Sequence, residues 1–313
     1  MKYRVILFFT VLSLNVFSQN NNVYNLLYYK LSGYLYSHQN DSCKIILNKI
    51  QQSNYSVYPR HLKVFVKSAL IADDTIMTEK YLNDLISKTE LDTSGFFDNV
   101  DYSKIKGYFW WNNFVEDYDS LRLYYYQNFD FKYSIELQQM LSLDKYSRTR
   151  FPDSLLKYYC PAEDIDKKNY KKLMQLYAKK GFPCYSSVGY KALKANYLLL
   201  MHSTTYEKQF FYIDSVLTRQ LDLNNFEPWM YANIIDRYYR NIKGYQIYGS
   251  FIEKDKFRNN VSGNIIDIKD LDTRRYSIGL NSFRSFAKDV NIGKLPLGYV
   301  EEDIFEFIFN TSK

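Results

Sequence analysis

The sequence predicts a mainly α-helical protein, with a helical N-terminal region followed by an α-rich domain that contains one short β-hairpin. Apolar residues recur at spacings of three and four through most of the 313 residues, which is typical of helices with one buried face. Strand-like segments bounded by turn residues occur at 245–251 and 264–268. We therefore expect helices, and not strands, to dominate the fold.

The first 18 residues predict a secretory signal peptide. Lys2 and Arg4 form a basic start, the segment 5–17 is apolar, and Ser18 is a compact residue of the kind found at a cleavage site. The apolar run is about 13 residues long, which is shorter than the ~20 residues of a membrane-spanning helix. A retained membrane anchor is the alternative interpretation. We expect export to the periplasm or the extracellular space, with cleavage near Ser18.

The charge of the chain restricts its partners. Removing Lys2 and Arg4 with the signal peptide lowers the formal net charge from +7 to +5, and the remaining charges are scattered along the chain. A mild and dispersed positive charge does not indicate a nucleic-acid-binding protein. Beyond the signal peptide, no apolar stretch is long enough to span a membrane, so we expect no stable membrane insertion of the mature chain.

The three cysteines are Cys43, Cys160 and Cys184, too few for the dense disulfide framework of a small secreted protein. A bridge between Cys160 and Cys184 would stabilise the fold by about 3 kcal/mol if its geometry allowed. Three unpaired thiols are the other possibility. The sequence leaves both open.

Residues 19–155 predict a series of amphipathic helices. The positions that define their buried faces are Tyr24, Leu27, Tyr28, Leu31 and Leu35; Cys43, Ile46, Leu47 and Ile50; His61, Phe65, Ala69 and Ala72; and Thr78, Tyr81, Leu82, Leu85 and Ile86. The polar turn at 73–75 joins the last two helices into a hairpin. Residues 61–88 resemble a degenerate tetratricopeptide-type hairpin, although one hairpin does not establish a repeat array.

Two prolines mark the predicted domain boundary. Pro152 and Pro161 interrupt the helical pattern, because proline restricts the residue before it and commonly ends helices. We therefore predict a second domain at 160–290 and a C-terminal tail at 291–313. The predicted elements of that domain are helices at 164–180, 190–201 and 228–243, a further helix that starts at the capping box Thr204–Glu207, and strands at 245–251 and 264–268.

The sequence lacks the standard motifs of catalysis and cofactor binding. We find no G-x-S-x-G elbow, no P-loop, no glycine-rich dinucleotide fingerprint and no H-E-x-x-H. The three histidines, His38, His61 and His202, are far apart and have no adjacent metal-ligand partners. We expect no cofactor and no metal ion.

Several short elements of the second domain resemble a known family. In chain order they are Gly181-Phe182-Pro183, Val188-Gly189, His202, Gln209, Asp236-Arg237, Gln246-Ile247-Tyr248-Gly249 and Asp272-Thr273-Arg274-Arg275. Together they resemble the bacterial family called domain of unknown function 6624, over about residues 165–290. Phe182 stands where that family has tryptophan. Ser250 and Phe251 stand where it has threonine and glutamine, so the hydroxyl is kept and the amide is lost. The resemblance implies a domain and no activity.

Charged residues in otherwise apolar helices indicate a polar set with two possible roles. In the functional interpretation His202 is a general acid or base, Asp236 or Asp272 orients it, and Arg237 or Arg275 binds an anion. The residues that would position the ligand are Gln209, Gln246 and Tyr248. In the structural interpretation the same groups form a buried network, because an unpaired buried charge costs several kcal/mol.

The structural interpretation predicts specific partners. Asp272 and Arg275 are three residues apart and can pair on one helical turn. Arg237 with Asp272, or Asp236 with Arg275, can equally pair between segments. In both interpretations we expect the polar set to converge. Two classes of function follow: an exported binding or scaffold protein with a protein or peptide partner, and a hydrolase-like enzyme. The sequence does not decide whether the chain is an enzyme, or what its oligomeric state is.

Overall fold

A computed structural model describes residues 23–53, 57–90, 100–149, 162–203 and 207–302. Within these residues the chain forms twelve α-helices and one two-stranded antiparallel sheet, which confirms the predicted mainly α fold. The helices are α1 (23–36), α2 (Asn40–Gln52), α3 (Leu62–Ile71), α4 (Thr75–Lys88), α5 (Trp111–Asn128), α6 (Phe131–Thr149), α7 (Ala162–Lys180), α8 (Tyr185–Ser203), α9 (Glu207–Asp222), α10 (Pro228–Lys243), α11 (Leu271–Ser277) and α12 (Phe283–Asp289). The strands are β1 (Ile252–Lys254) and β2 (Asn260–Ser262), and short 3₁₀ helices occur at Pro59–His61, Val100–Gly107 and Ile268–Asp270.

The contacts divide the chain into two compact units. The N-terminal unit is Leu27–Leu199, and the C-terminal unit is Leu200–Lys313 together with Met1–Leu26. The division falls inside α8, whereas the sequence places a boundary at 155–160, a stretch outside the described residues.

In the N-terminal unit, helices that follow one another along the chain pack together. α3 packs against α2 and α4, and α4 packs against α5. Phe65 and Tyr81 meet edge to face across the α3–α4 pair, with ring centroids 5.0 Å apart. The buried indole of Trp110 donates to the carbonyl oxygen of Thr75 over 3.0 Å. These aromatic contacts fill the core that the apolar spacing predicted.

The predicted helical hairpin is present at α3 and α4. α3 ends at Ile71 and α4 begins at Thr75, with Asp74 as its N-cap accepting from the backbone N–H of Met77. A carboxylate at this position satisfies an orphan amide of the first turn. The resemblance of this hairpin to a tetratricopeptide repeat stays a prediction.

Helix α8 is kinked at Gly189. This residue has φ 76° and ψ 168°, a conformation that is essentially restricted to glycine. The backbone N–H of Tyr190 donates to Oε1 of Glu90 over 3.2 Å, so Glu90 caps the helical segment after the kink. A Cβ atom on Gly189 would lie 2.6 Å from Oε2 of the same carboxylate. The backbone conformation therefore requires glycine here, and any side chain at this position would also have to displace the carboxylate of Glu90.

In the C-terminal unit, α9 packs against α10. The rings of Phe210 and Tyr238 stack between them with centroids 3.5 Å apart. α10 begins at Pro228 and ends before Gly244, whose φ of 77° is the left-handed conformation of a helix C-cap. Both predicted ends are confirmed. A smaller core beside them is formed by Leu271, Phe283, Ala287 and Ile292.

The strands do not lie where the sequence places them. Glu253 pairs with Val261 in the hairpin of β1 and β2, which lies between the two predicted strands. The predicted strands at 245–251 and 264–268 meet only at a single parallel bridge between Gln246 and Ile265. Residues 247–250 instead curl around the side chain of Asp236, as described below, and cannot extend as a strand.

Several predictions fall outside the described residues: the signal peptide at 1–18, the capping-box residues 204–206, Cys160, and the tail beyond residue 302. Cys43 and Cys184 are free thiols. Over the ranges that are described, no helix is both long and apolar enough to cross a membrane.

Candidate functional site

The carboxylate of Asp236 organises the loop at residues 246–251, which we call the Asp236 loop. Asp236 lies on α10 and is fully buried. Its Oδ1 accepts from the backbone N–H groups of Ile247 at 2.6 Å and Tyr248 at 2.8 Å. Its Oδ2 accepts from the backbone N–H and the hydroxyl of Ser250, both at 2.7 Å. Burial raises the pKa of Asp236, and these four hydrogen bonds oppose that shift.

Gln246 closes the Asp236 loop. Its side-chain oxygen accepts from the N–H of Phe251 at 2.8 Å, and its side-chain nitrogen donates to the carbonyl oxygen of the same residue at 3.1 Å. Gly249 has φ 65°, and a Cβ atom there would lie 2.8 Å from Ile265 and 2.9 Å from Phe283. The amide of Gln246 is thus occupied by the backbone and is not presented to a ligand.

Two adjacent arginines on α11 hold the carbonyl groups of the same loop. Arg275 is buried, and its Nη1 donates to the carbonyl oxygen of Tyr248 at 2.7 Å while its Nε donates to that of Asn281 at 2.8 Å. Arg274 donates through Nε to the carbonyl oxygen of Ile247 at 3.0 Å. No role for Arg274 is predicted from the sequence, although it is adjacent to Arg275.

The buried carboxylate of Asp272 is satisfied in a similar way. Oδ1 accepts from the N–H of Phe283 at 2.7 Å, and Oδ2 accepts from the hydroxyl of Tyr299 at 2.7 Å and the N–H of Glu302 at 3.3 Å. A buried carboxylate with several such donors needs no cation beside it. Asp272 therefore serves to tie the start of α12 to the segment near residue 300.

The predicted ion pairs are wrong. Among the described residues, neither Asp236 nor Asp272 forms an ion pair with an arginine, so the pairs Asp272–Arg275, Arg237–Asp272 and Asp236–Arg275 do not form. The physical reason is that backbone groups supply the partners. Backbone N–H groups that face inward donate to the carboxylates, and backbone carbonyl oxygens that face inward accept from the arginines.

The structure links some of the predicted residues and leaves others as predictions. Hydrogen bonds join Asp236, Gln246, Arg275 and the backbone of Tyr248 at the Asp236 loop. The half-buried residues His202, Gln209 and Arg237 lie on α8, α9 and α10. For these three, convergence with the loop stays a prediction.

A further carboxyl group of this unit, that of Asp214, is not among the site residues predicted from the sequence. Its Oδ1 accepts from the hydroxyl of Tyr231 at 2.8 Å, and the ring of Tyr231 lies 6.1 Å from that of Tyr248. Burial raises the pKa of Asp214, opposed by the hydrogen bond from Tyr231. A signal was present in the sequence, because Asp214 lies four residues after Phe210 and thus near the apolar face of its helix.

A second candidate site is a pocket of about 350 Å³ in the N-terminal unit. Three segments that are distant in sequence line it: the start of α3, the end of α4 and the start of α8. The lining residues are Pro59, Arg60, Lys63, Leu85, Thr89, Glu90, Tyr185 and Tyr190. Its volume falls within the usual range of small-ligand sites, roughly 300–1,000 Å³. We call it the α3–α4–α8 pocket.

The α3–α4–α8 pocket has a basic wall formed by Arg60 and Lys63. Lys63 is exposed, and across the ranges described it makes no hydrogen bond or ion pair. Between them in sequence, His61 is buried and stacks on Tyr28 with ring centroids 3.4 Å apart. Burial and the charge of Arg60 hold the pKa of His61 well below 6.5, so this histidine adds no charge at neutral pH.

The pocket lining also contains aromatic rings and one carboxylate. Tyr185 and Tyr190 have ring centroids 6.2 Å apart, and Tyr185 also meets Tyr58 edge to face at 6.1 Å. Glu90 accepts from the N–H of Tyr190, as described above, and this bond holds the carboxylate beside that tyrosine. No sequence motif signals this site, because 100 residues separate Glu90 from Tyr190.

Two other acids of the N-terminal unit, Asp144 and Asp166, share the guanidinium of Arg148. The same nitrogen, Nη2, donates to Asp144 at 3.2 Å and also to Asp166. Both carboxylates thus have a charged hydrogen-bond partner.

Comparison with known proteins gives no match to a family model, to a curated protein or to a solved structure.

Proposed function

We propose that this chain is an exported binding protein, and that the α3–α4–α8 pocket receives a carboxylate-bearing segment of a peptide partner. The observation that supports the proposal is the pocket itself, because two cations, Arg60 and Lys63, and two tyrosines line it together. Arginine and lysine provide charge-assisted hydrogen bonds to carboxylates. Tyrosine rings add apolar contact area, and a tyrosine side chain loses little conformational entropy on binding.

Glu90 sets the polarity of the proposed site. Its negative charge lies two residues after α4, in a pocket that Arg60 and Lys63 also line. A ligand with a carboxylate is attracted to Lys63 and repelled from Glu90, which fixes the direction in which an acidic side chain or a peptide C-terminus enters. The remaining acceptor capacity of Glu90 is suited to a peptide N–H group.

The experiment compares two matched sets of fluorescently labelled peptides, one with Asp and Glu and the other with Asn and Gln at the same positions. We expect only the acidic set to bind the purified chain, as measured by fluorescence polarisation. The substitution Lys63→Gln should weaken that binding about tenfold, since one charged hydrogen bond contributes roughly 1.5 kcal/mol. The control Lys44→Gln changes an exposed lysine elsewhere in the same unit.

Two outcomes would contradict the proposal. Equal binding of the acidic and the amide peptides would remove the role of the basic wall. Equal weakening by Lys63→Gln and Lys44→Gln would show that the peptides respond to overall charge and not to the pocket.

The alternative, a hydrolase-like enzyme built on His202 with Asp236 or Asp272, has weaker support. A carboxylate that orients a catalytic histidine must accept from its ring, but both carboxylates are already engaged by backbone and hydroxyl donors. We also propose that residues 165–290 belong to the family called domain of unknown function 6624, supported by the order of the motifs, and that cleavage occurs near Ser18. Mass spectrometry of the mature N-terminus tests the cleavage.

A further inference from the structure

The β-hairpin of the C-terminal unit ends in a turn with a defined shape. Asp255 accepts from the N–H groups of Phe257 and Asn259, each at 2.8 Å, and from the side-chain amide of Asn259 at 3.0 Å. The N–H of Arg258 donates to the carbonyl oxygen of Asp255 at 3.0 Å, and the N–H of Asp255 to that of Asn259 at 3.1 Å. These five bonds hold the turn in one conformation before any partner arrives.

This turn presents one aromatic ring among cations. The side chain of Phe257 is 72% exposed, and the ammonium of Lys256 lies 4.9 Å from the centre of its ring. Lys254, Lys256 and Arg258 are all exposed. Arg258 has φ 66°, a left-handed conformation that bends the chain at the tip. We call residues 254–258 the hairpin tip.

The acids near the hairpin tip are engaged by neighbouring groups. The carboxylate of Asp255 accepts the three bonds that form the turn. Glu253 forms an ion pair with Arg240 at 3.1 Å. The hairpin tip therefore carries three cations and one carboxylate, and that carboxylate, Asp255, is hydrogen-bonded within the turn. The outer surface of the tip is positively charged.

We propose that the hairpin tip binds to an anionic lipid surface, with Phe257 entering the boundary between headgroups and acyl chains while Lys256 and Arg258 contact lipid phosphates. A single ring on a narrow turn offers little area to a folded protein, whose interfaces need roughly 800 Å² per partner. A bilayer provides a continuous apolar layer beneath a negative surface, and so accepts such a tip without a shaped pocket. The contact is peripheral, weak and reversible.

The cations next to Phe257 distinguish it from other exposed apolar residues of the unit. Leu297 is 98% exposed, and Lys294 is the nearest lysine in sequence. Leu297 therefore serves as the matched control position, because its side chain is apolar and exposed but has no lysine or arginine next to it in sequence.

The experiment places a fluorescent reporter at the tip of the purified full chain. Phe257→Trp is mixed with vesicles of phosphatidylcholine and phosphatidylglycerol that contain lipids with a quencher in the acyl chains. We expect quenching of the added tryptophan relative to the parent chain, and no added quenching for Leu297→Trp. Because the readout is local, binding through another part of the chain does not imitate it.

Charge and salt provide the second arm. Lys256→Gln and Arg258→Gln, each in the Phe257→Trp chain, should each weaken the lipid dependence of quenching about fivefold, since one cation near an anionic surface contributes on the order of 1 kcal/mol. Raising the salt to about 1 M shortens the screening length to roughly 3 Å and should abolish the effect. Absence of quenching at position 257, equal quenching at position 297, or equal quenching by vesicles of phosphatidylcholine alone would overturn the proposal.

Discussion

Replacing Asp236 tests whether the polar set of the C-terminal unit is structural. Asp236→Ala removes a fully buried carboxylate that accepts four hydrogen bonds of 2.6 to 2.8 Å. Asp236→Asn keeps the shape and one acceptor oxygen but places an NH₂ group where Oδ2 stands. Comparing the two variants therefore separates the loss of both acceptor oxygens from the loss of Oδ2 alone.

The magnitude follows from the donors that are left behind. In Asp236→Ala the N–H groups of Ile247, Tyr248 and Ser250 lose their acceptor, and each buried donor left unsatisfied costs about 1–3 kcal/mol, so we expect a combined loss of about 3 kcal/mol or more. In Asp236→Asn the remaining oxygen still serves Ile247 and Tyr248, and the hydroxyl of Ser250 can rotate to accept. One N–H then faces an NH₂ group, which costs about 2 kcal/mol.

Urea unfolding followed by circular dichroism measures the free energy of unfolding of each variant. Amide hydrogen exchange at residues 247, 248 and 250 reports on the loop directly, and these three sites should lose protection before the amides of α10 do. The control is Asp289→Asn, the same chemical change at an exposed aspartate of the same unit. We expect it to alter the free energy of unfolding by less than about 0.5 kcal/mol.

The reasoning fails if Asp236→Ala unfolds at the same urea concentration as the parent chain and keeps protection at the three amides. Asp236 would then be dispensable for the loop, and a role in binding or catalysis would explain it better. Equal losses in the Asn and Ala variants would contradict the assignment of separate donors to the two carboxylate oxygens.

Three further predictions concern other contacts, and each is measured by urea unfolding. Arg275→Lys should cost about 2–3 kcal/mol, because an ammonium cannot reproduce the guanidinium fork that holds the carbonyl of Tyr248; an unchanged midpoint would contradict this. Gly189→Ala should lower the free energy of unfolding by about 1–3 kcal/mol because of the backbone conformation at this position. Adding Glu90→Ala to that variant should recover only the part that is due to the steric contact with Glu90, so full recovery would refute the backbone argument. Burial holds the pKa of His61 well below 6.5, so unfolding at lower pH takes up a proton and the free energy of unfolding should fall as the pH drops below 6.5; His61→Phe should flatten that dependence, and an unchanged slope would count against it.

The helices were predictable from sequence because one local property determines them. In α2 the four predicted positions, Cys43, Ile46, Leu47 and Ile50, are all buried. The same holds for Thr78, Tyr81, Leu82, Leu85 and Ile86 in α4. Helical periodicity places such side chains on one face whatever they pack against, so no knowledge of the partner is needed.

The strands were misplaced because a distant residue decides their conformation. Residues 245–251 have strand-like composition, but Asp236 binds the amides of Ile247, Tyr248 and Ser250 and so bends the segment into a loop. Tertiary contacts commonly override the weak preferences of such short segments. The turn that does form a hairpin depends on Asp255 as an acceptor, and from sequence it resembles any polar loop.

The ion pairs were mispredicted for a related reason. The sequence predicts a buried set of charges, and of these Asp236, Asp272 and Arg275 are buried whereas Arg237 is half-buried. It does not show which backbone groups turn inward to meet them. The α3–α4–α8 pocket was missed because its walls come from three segments that no motif connects.

The contacts of Ser250 and Phe251 support a structural role for the Asp236 loop. The hydroxyl of Ser250 donates to Oδ2 of Asp236, so this side chain supplies an atom that the loop requires. Phe251 contributes its backbone N–H and carbonyl oxygen to the side chain of Gln246. The polar side chains of the loop are thus used to shape its backbone, and this favours a search for partners at the α3–α4–α8 pocket and the hairpin tip.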